Sequence, residues 1–521
     1  MIRISQIKCL REDQIEGQIL KKLHILKKDL FAWQIHRRSV DARHQKILFS
    51  YTVDAQVQNE KRFLKLRDVS LSPDETYHDV CPGSKLLKHR PVVVGFGPAG
   101  MFAALQLAKQ GYRPLVIERG SEISQRQQKV KTFWNGGPLD PECNVQFGQG
   151  GAGAFSDGKL TTRSKDPRSR KVLREFVDLG ADPDILIDAH PHIGTDGFVP
   201  ILKHLDQRLR ALGADIYYDT CLEDLVIEDG KLKAIQTSRG KISCEQLILS
   251  IGHSASDTIR MCAKNGLRME NKPFAVGVRI EHKQAFIDQA ILHEMAKDDR
   301  FRPARYQLSM TASNQKGVYT FCMCPGGLVI PCSSSEGKLV VNGMSYAARD
   351  GENANSALLV QVNEKDYGTK LFAGLEYQEA LEKKAFSLGK DYRACVQLSK
   401  DYLQGICSKE FGTVSSTYCR QTTFVDLNTL FSDSVNQALH EGLVQFEKRI
   451  PGFSLDDAIL TAVESRSSAA IRIVRNEDLQ SNIKGIYPCG EGSGYAGGIM
   501  TSAIDGLRCA EKIIESFAKP L

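Results

Sequence analysis

An α/β fold is predicted for this 521-residue chain: a Rossmann-like domain interrupted by an inserted α+β domain, with a small α+β module ahead of both. Three observations carry the expectation. Pro91-Val92-Val93-Val94 and Pro114-Leu115-Val116-Ile117 are short, continuous apolar runs, the mark of strands buried on both faces. Between them lies a helical pattern with Met101, Leu105 and Ala108 on one side, ending at Gly111, so the stretch reads as one βαβ unit. Two later apolar strands, Leu247-Ile248-Leu249 and residues 485–489, stand on either side of a long β-rich and then helical stretch. The domain that begins near Pro91 is therefore completed only near the end of the chain.

Composition narrows the class. At 42% hydrophobic, 25% charged and 7% aromatic the chain is ordinary globular material, which excludes disordered, collagenous and coiled-coil proteins. Its net charge is +7, and residues 1–90, with 18 Lys+Arg against 11 Asp+Glu, hold all of it. No apolar stretch follows a basic start at Met1, and the longest mostly apolar run, Pro91–Ala108, is broken by Gly95, Gly97, Pro98 and Gly100. Neither a secretory signal nor a membrane span is expected. The 14 cysteines are scattered singly, with no C-x-x-C and no zinc-type spacing. A cytoplasmic, reducing location and no metal site are the expectations.

Taken in order, residues 1–85 form the basic module. It has strand-like runs at Ile2–Leu10, Ile47–Val57 and Arg62–Leu66, and a helical stripe of Ile15, Ile19, Leu23 and Leu26. A polar segment with Pro73, Pro82, Gly83 and Pro91 reads as a linker. After the βαβ unit come a helix over 198–212, a strand over 215–218, and a hairpin turning at Asp229-Gly230. β-Rich stretches follow at 275–281, 318–332, 338–344 and 357–362. The last helix carries Ala503, Leu507, Ala510, Ile514 and Phe517 on one face.

The chemistry starts at Gly95-Phe96-Gly97-Pro98-Ala99-Gly100, a G-x-G-x-x-G that leaves a strand, opens a helix and sits in a βαβ unit ending at Glu118. Gly95 permits the tight turn, Gly97 lets backbone approach a pyrophosphate, and Gly100 lets helix pack on strand. Pro98 suits a first helical turn, and the free N–H groups there favour phosphate. The Glu118 carboxylate is placed to accept from both ribose hydroxyls and to repel a 2′-phosphate, which points to FAD or NAD rather than NADP as the resident nucleotide.

A second glycine-rich helix entry decides between them. Residues 485–489 run into Gly490-Glu491, and Gly497-Gly498 precede the final helix. Two helix entries, each with an acid beside it, suit a long two-ended ligand. Glu491 would hold ribityl hydroxyls and the amides near Gly497 and Gly498 would face a flavin ring. NAD alone would not need this second site, so FAD is expected. No second G-x-G-x-x-G is expected beyond Gly95–Gly100, so a dedicated NAD(P)H-binding Rossmann domain is disfavoured. If NAD(P)H is the electron donor, it docks transiently in the substrate cleft.

These motifs resemble those of the uncharacterised FAD-dependent dehydrogenases, within the glutathione-reductase-like flavoproteins. The resemblance covers essentially the whole chain. It is carried by Gly95–Gly100 with Glu118-Arg119-Gly120, by Phe147–Leu160, Ile251–Asp257, Phe274–His282 and Met323–Gly327, and by Asn342–Ser345, Glu464-Ser465-Arg466 and Gly490–Gly506. It implies FAD, an oxidoreductase, and no particular substrate beyond a small molecule. By the same resemblance Gly150, Gly151 and Gly153 line the cofactor, Arg119 and Gly252 belong to the binding set, and backbone near Leu222 meets the adenine edge. Ser250-Ile251-Gly252 stands where wider flavoproteins carry Ala-Thr-Gly, and Glu491 where many carry Asp. The expected domains are 1–85, an FAD-binding Rossmann-like domain over 90–255 and 481–521, and a substrate domain over 256–480.

No catalytic acid or base stands out. Arg279 and Glu281 share one strand face, either as a solvated ion pair or with Arg279 as a substrate-anion clamp. Arg466 is a candidate for binding an anionic substrate or stabilising reduced flavin, against a plain surface arginine. His253 reads as structural and away from chemistry, and Cys322/Cys324 as structural rather than a redox pair. An FAD-dependent tRNA-modifying enzyme using the basic module is the alternative function, and a non-catalytic flavin sensor a third. No RNA-binding motif supports nucleic acid as a partner, and oligomeric state is not legible.

Overall fold

In the computed structural model, which describes residues 1–42, 47–162, 164–301 and 303–520, a five-stranded, wholly parallel sheet forms the centre. Its order is Ile486–Pro488, Leu247–Leu249, Val92–Val94, Leu115–Ile117, Asp215–Tyr217. The strands are short, and Val92–Val94, Leu115–Ile117 and Leu247–Leu249 are buried on both faces, as continuous valine, leucine and isoleucine runs require. Order reverses at Val92–Val94: the chain steps to one side through Leu115–Ile117 and to the other through Leu247–Leu249. Such a reversal opens a crevice at the strand ends.

Helices Pro98–Lys109 and Ile499–Ser516 pack along one another over this sheet. Their backbones nearly touch, because a Cβ on Gly506 would lie 2.0 Å from the Ala99 carbonyl oxygen. A three-stranded antiparallel ribbon, Leu222–Glu228, Lys231–Thr237 and Gly240–Ser243, follows the outer parallel strand.

A seven-stranded mixed sheet is built mainly from residues 274–464. Its order is Ser309–Thr311, Gly317–Cys324, Asn353–Val362, Phe274–Lys283, Ile459–Glu464, Ala394–Leu398, Thr422–Phe424. Helix Asp433–Glu447 covers one face, where Val278, Ile280, Leu358, Leu439, Leu443 and Phe446 form a core.

The N-terminal residues form a four-stranded antiparallel sheet ordered Leu30–Asp41, Leu48–Val57, Ile2–Cys9, Val69–Leu71. Helix Ile15–Leu23 packs Ile15, Ile19 and Leu23 onto it. Two expectations fail here. Leu26, assigned to the helical stripe, is 64% exposed, because His24 ends the helix at φ +51°. Arg62–Leu66 is not a strand but makes up most of a 3-10 helix, Glu60–Lys65, and its C-cap Leu66, with only Phe63 buried. Phe63, Leu64 and Leu66 interleaved with Arg62 and Lys65 mimic a strand pattern, but on this turn Phe63 alone is buried. The expected linker is a docked strap: the Gly83 N–H donates to the Ile514 carbonyl at 2.8 Å and the Tyr77 hydroxyl to Glu511 at 2.7 Å. Much of the module's charge is paired internally, Arg3 with Asp54 and Glu75, Lys8 with Asp41, Lys22 with Asp68.

Among the described residues no helix is long and apolar enough to cross a membrane, and the cysteines are free, most of them buried.

Candidate functional site

The crevice at the reversal point opens into a cavity of about 620 Å³. Two helix N-termini enter it. The helix Pro98–Lys109 begins after Gly97 and the helix Ile499–Ser516 after Gly498, and neither start has a side-chain cap. First-turn N–H groups are thereby left to a ligand, with the positive helix ends behind them. Gly498 sits at φ +114° and a Cβ there would meet nothing within 4 Å, so bare backbone faces open space.

Of the residues predicted to bind cofactor, Gly95, Gly97, Pro98, Ala99, Glu118, Arg119, Gly151, Gly153, Leu222, Gly252, Glu491, Gly497 and Gly498 line this one cavity. Gly100, Gly150 and Gly490 stand behind its wall. A Cβ on Gly100 would lie 1.8 Å from the Gly95 carbonyl oxygen, which is the helix-on-strand contact expected of it. A Cβ on Gly150 would press on Leu202, and one on Gly490 on Ala99, so these two glycines serve packing rather than contact with a ligand. The spacing of the fingerprint also recurs at Gly148–Gly153 and Gly492–Gly497. Neither recurrence opens a βαβ unit; the first leads into the 3-10 turn Gly151–Phe155.

Glu118 does more than expected. Its Oε1 accepts from the Gly120 and Gly148 N–H groups at 3.0 and 2.8 Å, and its Oε2 from Phe96 N–H at 2.7 Å. The carboxylate ties the fingerprint turn to the second glycine loop. Both ribose hydroxyls cannot each have a free oxygen; the unspent capacity lies on Oε2.

Arg126, absent from the sequence reading, organises that second loop. Fully buried, it donates to the carbonyl oxygens of Asn144 (2.9 Å), Val145 (2.9 Å), Gly148 (3.2 Å) and Gln149 (2.6 Å). Burial pulls it down to about 10, so it remains a cation at neutral pH. Arg126→Met removes every one of these donors. A loss of at least about 4 kcal/mol is expected, since an orphaned buried acceptor costs about 1–3 kcal/mol. Urea unfolding of the purified variant measures it.

Arg119 lies 4.4 Å over the Phe147 ring and pairs with Asp257 at 2.6 Å and Glu142 at 3.0 Å. Glu491 is pushed up to about 7 by burial, against the Gly498 N–H and Lys272, which lower it. A carboxyl raised in this way favours the fold while protonated, so its contribution is present below about 4.5 and lost as pH rises through about 7. The ligand-free protein should therefore lose melting temperature between pH 5 and pH 8, and Glu491→Gln should flatten that slope. Differential scanning fluorimetry across that range reads both.

The far wall corrects three expectations. Arg279 is neither solvated nor a substrate clamp: it is 0% exposed, on a central strand of the seven-stranded sheet. It forms a two-point pair with Glu464 and donates to Asn342 at 2.7 Å, Asn355 at 3.0 Å and the Cys322 carbonyl at 2.9 Å. Glu281 pairs separately, with Thr417 N–H at 3.1 Å and Asn353 at 3.2 Å. Alternation on a strand implies a wet face only when the sheet is open, and here both faces are covered. Arg466 is not a surface arginine. It lies in the cavity wall, its Nε and Nη2 held by Glu382 at 2.6 and 3.0 Å, while Nη1 is buried without a partner. His253 also lines the cavity; burial and the Arg466 charge push it down to about 3, so it is a neutral imidazole.

Glu464 faces the same cavity and is pushed up to about 7 by burial, although Arg279 pulls the other way. Cys322 lines it too, at φ +43°, where the strand register shifts. Contact with the Cys324 thiol, then the charges of Lys159 and Arg279, draw Cys322 well below the usual thiol range. Lys159 belongs to the Phe147–Leu160 run, the only sequence signal that could have found it. A buried cluster of Cys489, Asp505 and Cys509 lies behind Gly490, but Asp505 already carries the Arg475 guanidinium and the Gly490 N–H.

A parallel sheet with a glycine turn at its reversal point makes this a Rossmann-like α/β protein with additional domains. Residues 273–467 match the family described as "FAD-dependent protein, C-terminal domain-like", and residues 1–56 match a domain of unknown function, DUF8436. An uncharacterized protein of Clostridium beijerinckii is 43% identical over 530 residues, spanning 100% of this chain and 99% of its own. The chain belongs to the family of that protein. Among solved structures, glycine oxidase from Bacillus cereus is similar over 83% of this chain and 99% of its own, at 13% identity and a TM-score of 0.36. L-Proline dehydrogenase from P. horikoshii is similar over 82% and 93%, at 11% identity and a TM-score of 0.31. Likeness at these scores carries nothing about activity.

Proposed function

We propose that the chain is an FAD-dependent oxidoreductase acting on a small molecule, with NAD(P)H as a transient donor. The observation that carries this reading is the single cavity entered by two uncapped helix N-termini, with Glu118 beside the first and Glu491 beside the second. The family description matched by residues 273–467 supports it.

In this reading the first-turn amides after Gly97 seat the pyrophosphate, and the free capacity of Glu118 Oε2 accepts a ribose hydroxyl. Leu222 and Gly252 flank the adenine end. Glu491 accepts from the ribityl chain, and Gly497, Gly498 and the helix entry behind them face the ring. Bound FAD supplies the hydride chemistry. The protein's part is orientation and electrostatics. Arg466 offers its unpartnered Nη1 to an anionic substrate group or to developing negative charge, and neutral His253 adds none of its own. Glu464, near neutrality, holds or releases a proton at the cavity wall.

FAD-loaded protein mixed anaerobically with NADH or NADPH should bleach in the flavin band and regain colour with an oxidising small molecule from a metabolite panel. Flavin that neither donor reduces would overturn the donor assignment. Flavin that no donor reduces at all would favour a sensor.

A further inference from the structure

A second cavity, of about 790 Å³, lies between the N-terminal module and the segments 188–192, 291–305 and 347–349. Arg38 and Tyr51 of the module line it, with His192, Phe301 and Arg349 opposite. His190 and Arg305 line both this outer cavity and the inner one, so they form the neck between them.

The charges around the neck are unequal in one respect. Five arginines line the outer cavity, and four have carboxylate partners: Arg11 with Asp13, Arg38 with Glu12 and Asp184, Arg300 with Asp298, Arg349 with Asp157. Among the described residues Arg305 has none. Its Nη1 donates to the His190 carbonyl at 3.4 Å. The Asp188 carboxylate, which also lines the outer cavity, accepts from the His190 N–H at 3.0 Å and, like Asp157, acts on Arg305 as a charge at a distance rather than as a contact partner. Burial and the Arg349 charge pull Arg305 down to about 10, which leaves it protonated at neutral pH. A half-buried guanidinium with no carboxylate in ion-pair contact, in the wall shared by both cavities, is a costly arrangement unless an anion occupies it.

We infer that the neck at Arg305 and His190 is an anion-binding subsite for the molecule that exchanges hydride in the inner cavity. It takes a phosphate or carboxylate group of that reactant while the reacting end passes inward. The inference rests on the flavin reading above. The outer cavity gives the remainder of the reactant a place against the N-terminal module, which assigns that module a role in reactant binding.

The test uses FAD-loaded protein and three variants. Arg305→Met removes the charge, Arg305→Lys keeps it, and Arg300→Met alters a paired arginine on the rim of the same cavity. Inorganic pyrophosphate and acetate serve as probes in calorimetric titrations, alongside KM for NADH and NADPH. Arg305→Met should weaken probe binding by about tenfold or more, the loss expected of a hydrogen bond to a charged group. Arg305→Lys should retain most of the affinity, and Arg300→Met all of it. A parallel rise in the KM of NADH or NADPH identifies the anion as the dinucleotide's phosphate. Weakened acetate binding with those KM values unchanged identifies a substrate carboxylate. Probes that fail to bind, or that bind Arg305→Met as tightly as the unaltered protein, overturn the subsite. Failure of the flavin reading shows separately, as missing flavin absorbance before any anion is added.

Discussion

Gly97→Val is expected to give a folded protein that no longer holds FAD. Gly97 has φ −79° and ψ −175°, extended backbone open to any residue. A Cβ there would meet only the Gly151 Cα, at an ordinary 3.6 Å. The fold therefore has little reason to object. The branched side chain would instead stand where the pyrophosphate must approach the amides behind Pro98. A loss of about a hundredfold or more in FAD affinity is expected, equivalent to about 3 kcal/mol. Titration followed by quenching of flavin fluorescence reads the affinity, and the melting temperature of the ligand-free protein reports the fold. A valine variant that binds FAD as the unaltered protein does would remove the pyrophosphate from this turn.

Glu118→Ala should fail differently, losing stability and FAD together. Three buried N–H groups, of Phe96, Gly120 and Gly148, would lose their acceptor at once. At about 1–3 kcal/mol for each orphaned donor, a loss of about 3–9 kcal/mol is expected. Glu118→Gln keeps one carbonyl oxygen and should fall between, since its amide nitrogen cannot accept. Urea unfolding of the ligand-free variants, set beside the FAD titration, separates this scaffold role from contact with the nucleotide. An alanine variant of unchanged stability would mean that the loops hold themselves.

The parts of the site written as contiguous runs were legible in the sequence. Val92–Val94, the glycine turn and the helix behind it are local, and backbone sterics and apolar patterning dictate them together. Gly497 and Gly498 were legible for the same reason, although only tertiary structure brings them into the cavity that Gly97 lines. What escaped were side chains whose meaning depends on partners far along the chain. Arg126 matters because four carbonyl groups of residues 144–149 converge on it. Arg279 looked like a solvent-facing residue until strands on both sides and covers on both faces enclosed it. Arg305 stands out only when its neighbours are seen to be paired and it is not. The charge confined to residues 1–90 was legible as a number, but its division into internal pairs and a cavity wall was not.

The central claim is that one FAD fills the cavity between the two helix N-termini. Ligand-free protein titrated with FAD under reducing conditions tests it most directly. The account predicts saturation at one FAD per chain, with Gly97→Val abolishing the binding while the protein stays folded. A well-folded protein that takes up no FAD, or takes it up equally with valine at position 97, would contradict it.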